Sequence, residues 1–192
     1  MERFADRYSV KPSRLNNWNY STPGDYFITI CTYGHNKYFG KIINNKIFLS
    51  LRGEIAHNEL LKTITLRKNI FIDPWVIMPN HIHLLIRLRN LHVETRCNAS
   101  LHDNRKITLI THSHKNHPEF FSKLNIKSNQ VIPSTIRAFK QSIKRLCNQQ
   151  HLYFSWQPRY YDHVISNPKE LTTVKNYIIN NPKNWQKDKF YN

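Results

Sequence analysis

Two apolar runs rich in β-branched residues, Ile70 to Met78 and His81 to Leu88, are separated only by Pro79-Asn80. Each has the length and composition of a strand, and so short a break suits an antiparallel pair. Upstream, Asp25 to Tyr33 (DYFITICTY) reads as a further strand. Tyr38 to Ile43 and Lys46 to Leu49 flank Asn44-Asn45 in the manner of a hairpin. Between that hairpin and the strand pair, Arg52 to Thr65 is helical in pattern, with Ile55, Leu60, Leu61 and Ile64 as its apolar members. Strands, a helix and strands again predict an α+β layer with antiparallel pairing.

The texture changes from Asn90 to Gln130. Polar residues, five histidines (His92, His102, His112, His114, His117) and one apolar patch at Ile107 to Thr111 follow no sustained period. This reads as a loop-rich insert. Its histidines invite a zinc reading, but no standard ligand spacing accompanies them. Regular structure returns at Pro133, where Ile136, Phe139, Ile143 and Leu146 recur at helical spacing. Arg137, Lys140 and Lys144 make a second, basic stripe on the same helix, which suits a solvated face and a phosphate track equally. A last helix is announced by Asn167 as N-cap, Pro168 at the first helical position and Glu170 three residues after the cap. It is expected to run to about Asn180 and to stop before Pro182.

The chain of 192 residues fits one domain without internal repeats, and its 40% hydrophobic content excludes wholesale disorder. Its formal charge is +17. That surplus is not a tail: residues 1–90 carry 13 basic and 6 acidic residues (net +7), residues 133–192 carry 10 and 3 (again +7), and the insert adds the remaining +3. Basic folded regions favour a structured surface for a polyanion, nucleic acid above all. Three dispersed cysteines (Cys31, Cys97, Cys147) fit neither a disulfide framework nor a zinc finger. No run of 18 apolar residues exists to cross a membrane, and the first residues lack the apolar stretch of a secretory signal, so a soluble, cytoplasmic protein is expected.

Chemistry concentrates in Trp75 to Ile86. His81 and His83 lie two apart in a strand, so both imidazoles point to one face while Ile82 points to the other. Such a pair serves as a structural contact or shares one divalent metal. Near the C-terminus, Leu171, Val174 and Ile178 form the packing face of the last helix, with Tyr177 beside it. Asn181 follows four residues on and shares the Tyr177 face. Tyr160 and Tyr161, next to Arg159, are rival aromatics suited to stacking on a DNA base. Asp162 and His163 read as an orienting or structural pair.

Pro79-Asn80-His81-Ile82-His83 before an apolar strand resembles the histidine-hydrophobic-histidine (HUH) motif of the single-tyrosine transposases related to small insertion sequences. Three further segments are similar to the branch associated with repetitive extragenic palindromes (REP), in the same order. They are Tyr20 to Thr32 for its first strand, Phe139-Lys140-Gln141-Ser142 for its central helix, and Trp156 to His163 with Lys175 to Trp185 for its C-terminal signature.

That resemblance implies a ferredoxin-like antiparallel sheet with helices packed on it, and an enzyme that cuts and rejoins single-stranded DNA beside hairpin sequences. It implies Tyr177 as nucleophile, forming a 5′-phosphotyrosine. His81, His83 and Asn181 would hold Mg²⁺ or Mn²⁺, Asn181 replacing a side chain that is often Gln in the family. It leaves monomer and homodimer open. An ordinary tyrosine loses its proton near pH 10, and the sequence names no base to take it. A DNA-binding protein that keeps the fold without cleaving is the competing expectation.

Overall fold

The computed structural model describes residues 18–89 and 131–191. The first 17 residues and the expected insert at 90–130, with its histidines and Cys97, lie outside the described residues. In chain order the elements are β1 (Gly24–Cys31), β2 (Gly40–Ile43), β3 (Lys46–Leu49), α1 (Leu51–Leu66), β4 (Ile70–Ile77), β5 (His81–Leu88), α2 (Val131–Gln149), β6 (Tyr161–Ile165) and α3 (Pro168–Asn180). Short 3-10 turns occupy Tyr33–His35 and Pro182–Lys187.

Four strands form one sheet in the order β4-β5-β1-β6, and every neighbouring pair is antiparallel. β1 reaches β4 through α1, and β5 reaches β6 through α2. Each connection skips one intervening strand, which makes two interlocked split βαβ units and gives the ferredoxin-like order. β2 and β3 form a separate hairpin whose Asn44 and Asn45 have φ of 49° and 61°, the left-handed pair that a type I′ turn requires.

Strand alternation divides the sheet into two chemically different faces. Tyr26, Ile28 and Ile30 of β1 and Ile82, Leu84, Ile86 and Leu88 of β5 pack with Ile55, Ala56 and Leu60 of α1 and with Ile136, Phe139 and Ile143 of α2. On the other face, Phe27 and Leu85 pack with Val174 and Ile178 of α3. β4 keeps its apolar side chains inward across an irregularity between Ile72 and Trp75, where three steps on β4 match two on β5. The extra residue switches the parity of its core positions from Ile70 and Ile72 to Trp75 and Ile77. β4 is an edge strand, so the backbone of Pro74 need not donate to a neighbour. Cys31 and Cys147 are buried and free. Among the described residues no helix is long and apolar enough to cross a membrane.

Two features depart from the sequence reading. β6 begins at Tyr161, in a segment that carries no strand signal between Pro158 and Pro168. The basic stripe of α2 is also not uniform. Lys140 Nζ donates to the carbonyls of Gln157 and Arg159 at 2.8 and 2.7 Å, and Lys144 Nζ donates to that of Phe154 at 3.1 Å. Burial of Lys140 pulls its pKa down to about 8. Lys140 is thus a pin between α2 and the segment leading into β6, whereas Arg137 is exposed. Lys140→Met leaves two carbonyls without their donor and is expected to cost about 1–3 kcal/mol in urea unfolding. Arg137→Ala should stay within about 0.5 kcal/mol of the unaltered chain.

Candidate metal centre and nucleophile

β5 starts at His81 immediately after the Pro79-Asn80 turn, and its odd-numbered residues face α3. His81 pairs in register with Cys31, and His83 with Thr29. Both imidazoles are fully enclosed, with 0% and 1% of their surface exposed. Their Nε2 atoms approach to 3.0 Å. Each Nδ1 has its own partner: Asn80 Oδ1 at 2.9 Å for His81 and Thr29 Oγ1 at 2.8 Å for His83. Asn80 turns its amide nitrogen to the carbonyls of His35 and Phe190, so its oxygen faces His81, which must carry its proton on Nδ1. The Nε2 lone pair of His81 therefore points toward His83. The Thr29 hydroxyl both donates and accepts, which allows either tautomer at His83.

α3 brings the second half of the site. The Asn167 side chain accepts from Glu170 N at 2.9 Å, while the Glu170 carboxylate accepts from Ser166 N at 2.8 Å and contacts His163 Nε2 at 2.7 Å. These bonds fix where the helix begins, and burial of Val174 and Ile178 fixes its rotation. Tyr177 then lies with its ring 5.2 Å from that of His83 and edge-on to Phe27 at 5.9 Å. Asn181, one turn later, is buried.

After α3 the chain folds back through Pro182–Lys187 and delivers Asp188 to the same spot. One carboxylate oxygen of Asp188 accepts from the Tyr177 hydroxyl at 3.0 Å and from Asn181 Nδ2 at 2.8 Å; the other accepts from Phe190 N at 2.7 Å. His81, His83 and Asp188 offer donor atoms that all lie within 4.8 Å of one another, a cluster able to bind a metal ion. Asn181 Oδ1 is buried without a hydrogen-bond partner among the described residues, so an oxygen ligand remains available beside them. Two imidazoles with carboxylate and amide oxygens form a mixed nitrogen and oxygen donor set that fits a divalent cation. The structure therefore brings His81, His83, Tyr177 and Asn181 together and adds Asp188, which sequence reasoning missed.

Electrostatics follow from enclosure. Burial, with a smaller contribution from His35, drives the pKa of His81 down to about 3, and burial with His81 drives His83 well below the usual range. Burial and then the Asp188 charge push Tyr177 far above an ordinary phenol. The unfolded chain protonates His81 from about pH 6.5 and the folded chain only near 3, so stability falls as the pH drops through that window, and the lowered pKa of His83 acts in the same direction. His81 alone accounts for a loss on the order of 5 kcal/mol. Calorimetry of metal-free protein from pH 7 to 4 should show a steep fall in Tm that is shallower in His81→Gln. Phe190 caps the pair, its ring 4.7 Å from His81 and 6.2 Å from His83.

The remaining expected residues spread around this centre. Tyr161 reaches it through a stack with Phe190 at 6.1 Å, and its hydroxyl accepts from Gln157 Nε2 at 2.8 Å. Arg159 is exposed, with φ of 65°, and Tyr160 packs against the α1–α2 core instead. Arg137, Lys140 and Lys144 belong to the helix layer on the face of the sheet opposite the histidines. Asp162 bonds to Tyr20 and His163 to Glu170, so both are structural contacts in this conformation.

No protein-family profile matches the chain. An uncharacterized protein of Haemophilus influenzae is 31% identical over 179 residues, a match that covers 93% of this chain and 91% of that one. The two proteins belong to one family. A solved REP-associated tyrosine transposase bound to a REP hairpin superposes with a TM-score of 0.55 at 18% identity, covering 90% of this chain and 74% of that chain. This family member has the transposase fold that its histidine motif and C-terminal signature led one to expect.

Proposed function

We propose that the protein is a metal-dependent endonuclease and strand transferase that cleaves single-stranded DNA beside hairpin sequences through Tyr177. The observation that carries this reading is the meeting of Tyr177 with the histidine pair, 5.2 Å ring to ring, with Asp188 hydrogen-bonded to its hydroxyl. The basic charge of +17 and the likeness to a hairpin-bound transposase support DNA as substrate. A divalent cation held by His81, His83 and Asp188, with Asn181 alongside, would supply Lewis-acid stabilisation of the scissile phosphate.

The protein groups then have separate tasks. Tyr177 Oη forms a bond to phosphorus as the bond to the 3′ oxygen breaks, giving a 5′-phosphotyrosine and a free 3′-hydroxyl. The phenolic proton has an acceptor 3.0 Å away in Asp188. Asn80 and Thr29 hold the imidazoles in place through their Nδ1 atoms. Reversal with a new 3′-hydroxyl restores Tyr177 and joins the strands without ATP, because the phosphodiester energy is kept in the covalent link.

A second reading, a hairpin-binding protein without cleavage, draws on the closure of the site: Phe190 covers both histidines and the Tyr177 hydroxyl is held by Asp188. One experiment separates the two. The protein is incubated with single-stranded oligonucleotides carrying a hairpin from the DNA that flanks its gene, with Mn²⁺ or Mg²⁺, and resolved on a denaturing gel. A covalent protein–DNA band is expected; tight binding without any band would leave the binding reading.

A further inference from the structure

Two segments distant in sequence meet beside the histidine site. One follows β1 and contains Tyr33, His35 and Lys37; the other runs from Lys183 to Tyr191. Asn80 ties them together, its amide nitrogen donating to the His35 carbonyl at 3.2 Å and to the Phe190 carbonyl at 2.7 Å. The His35 ring stacks on Phe190 at 5.6 Å, and Lys37 Nζ lies 5.4 Å from the centre of the Tyr191 ring. The composition of this rim is one-sided. Lys37, Lys183, Lys187 and Lys189 are all exposed. The one acid in either segment is Asp188, whose carboxylate is turned inward to Tyr177 and Asn181. Tyr33 is 57% exposed and Tyr191 44%.

We infer that this rim, centred on Tyr33 and Lys37, is a docking platform for unpaired DNA. Its aromatic faces would stack the single-stranded nucleotides beside the cleaved bond, and its lysines would neutralise their phosphates. The inference rests on the DNA reading above and assigns the place where the unpaired strand lies. Stacking on an exposed ring tolerates any base, and ammonium groups at intervals follow a backbone, which together define a surface for single strands rather than for a paired stem. The Tyr33 main chain is held by a bond from its N–H to the Ser155 carbonyl at 2.9 Å, so the ring is presented from a fixed position.

Fluorescence anisotropy with an unstructured oligo-dT probe and with a blunt hairpin lacking single-stranded flanks tests this. Tyr33→Ala should weaken oligo-dT binding about 5- to 100-fold. Lys37→Ala should reduce the log–log salt slope on that probe by about 0.7. Both variants should bind the blunt hairpin as the unaltered chain does and melt at the same temperature. Unchanged oligo-dT affinity and slope in both variants, with the unaltered chain binding, would overturn the platform alone. Failure of the unaltered chain to bind either probe would refute the DNA reading itself, and the platform with it.

Discussion

Tyr177→Phe is expected to abolish the covalent DNA adduct, a loss of roughly 10⁴-fold or more in cleavage if a nucleophile is removed outright. The substitution takes away one oxygen and keeps the ring that packs against Phe27 and His83. Asp188 loses one donor but retains Asn181 Nδ2 and Phe190 N, so the fold should change by only about 1 kcal/mol. Hairpin binding should persist. The decisive measurement is mass spectrometry of the adduct from the unaltered protein after nuclease digestion. Nucleotide on Tyr160, Tyr161 or any residue besides Tyr177 would dismiss the assignment.

The second large effect concerns the histidine pair. His81→Ala and His83→Ala each remove one of two facing Nε2 atoms, and cleavage should drop below detection in both. DNA affinity should change only a few-fold, because phosphate contacts elsewhere dominate it. Titration of Mn²⁺ by isothermal calorimetry gives a readout independent of cleavage: binding should be lost in each variant. Cleavage that survives in either variant with chelator present would refute a metal role. His83→Gln keeps a hydrogen-bonding side chain opposite Thr29 and serves where the alanine variants fold poorly.

Much of this arrangement was written in short-range pattern. The alternation of β5 put His81 and His83 on one face and Ile82 on the other, and the Asn167 cap set the phase that pairs Tyr177 with Asn181. The Asn44-Asn45 turn was equally plain, since its backbone chemistry is local. What escaped were features decided by distant partners. Asp188 comes just after the 3-10 turn Pro182–Lys187, which has no apolar period, and only the return of the chain to β5 gives its carboxylate a role. β6 lies between prolines at a sheet edge, half-buried throughout, and so lacks the apolar alternation of a covered strand. Lys140 looked like one member of a basic stripe because the carbonyls it holds lie 17 and 19 residues ahead. Composition counts charges; it does not say which of them turn toward the backbone.

The ring of Phe190 over the histidines has a thermodynamic corollary. Because both imidazoles are enclosed, on the proposed reading a phosphate would reach His81 and His83 only once that ring, with the packing around it, has swung away. If the swing costs about 2.7 kcal/mol, roughly one molecule in a hundred is competent at any instant, and the apparent affinity of the inner site is weakened by the same factor. Contacts on the outer surface bear no such penalty. On that reading, occupancy of the protein by DNA and the rate of strand breakage would be two separately adjustable quantities, the first set by the outer surface and the second by how firmly the packing over the histidines holds.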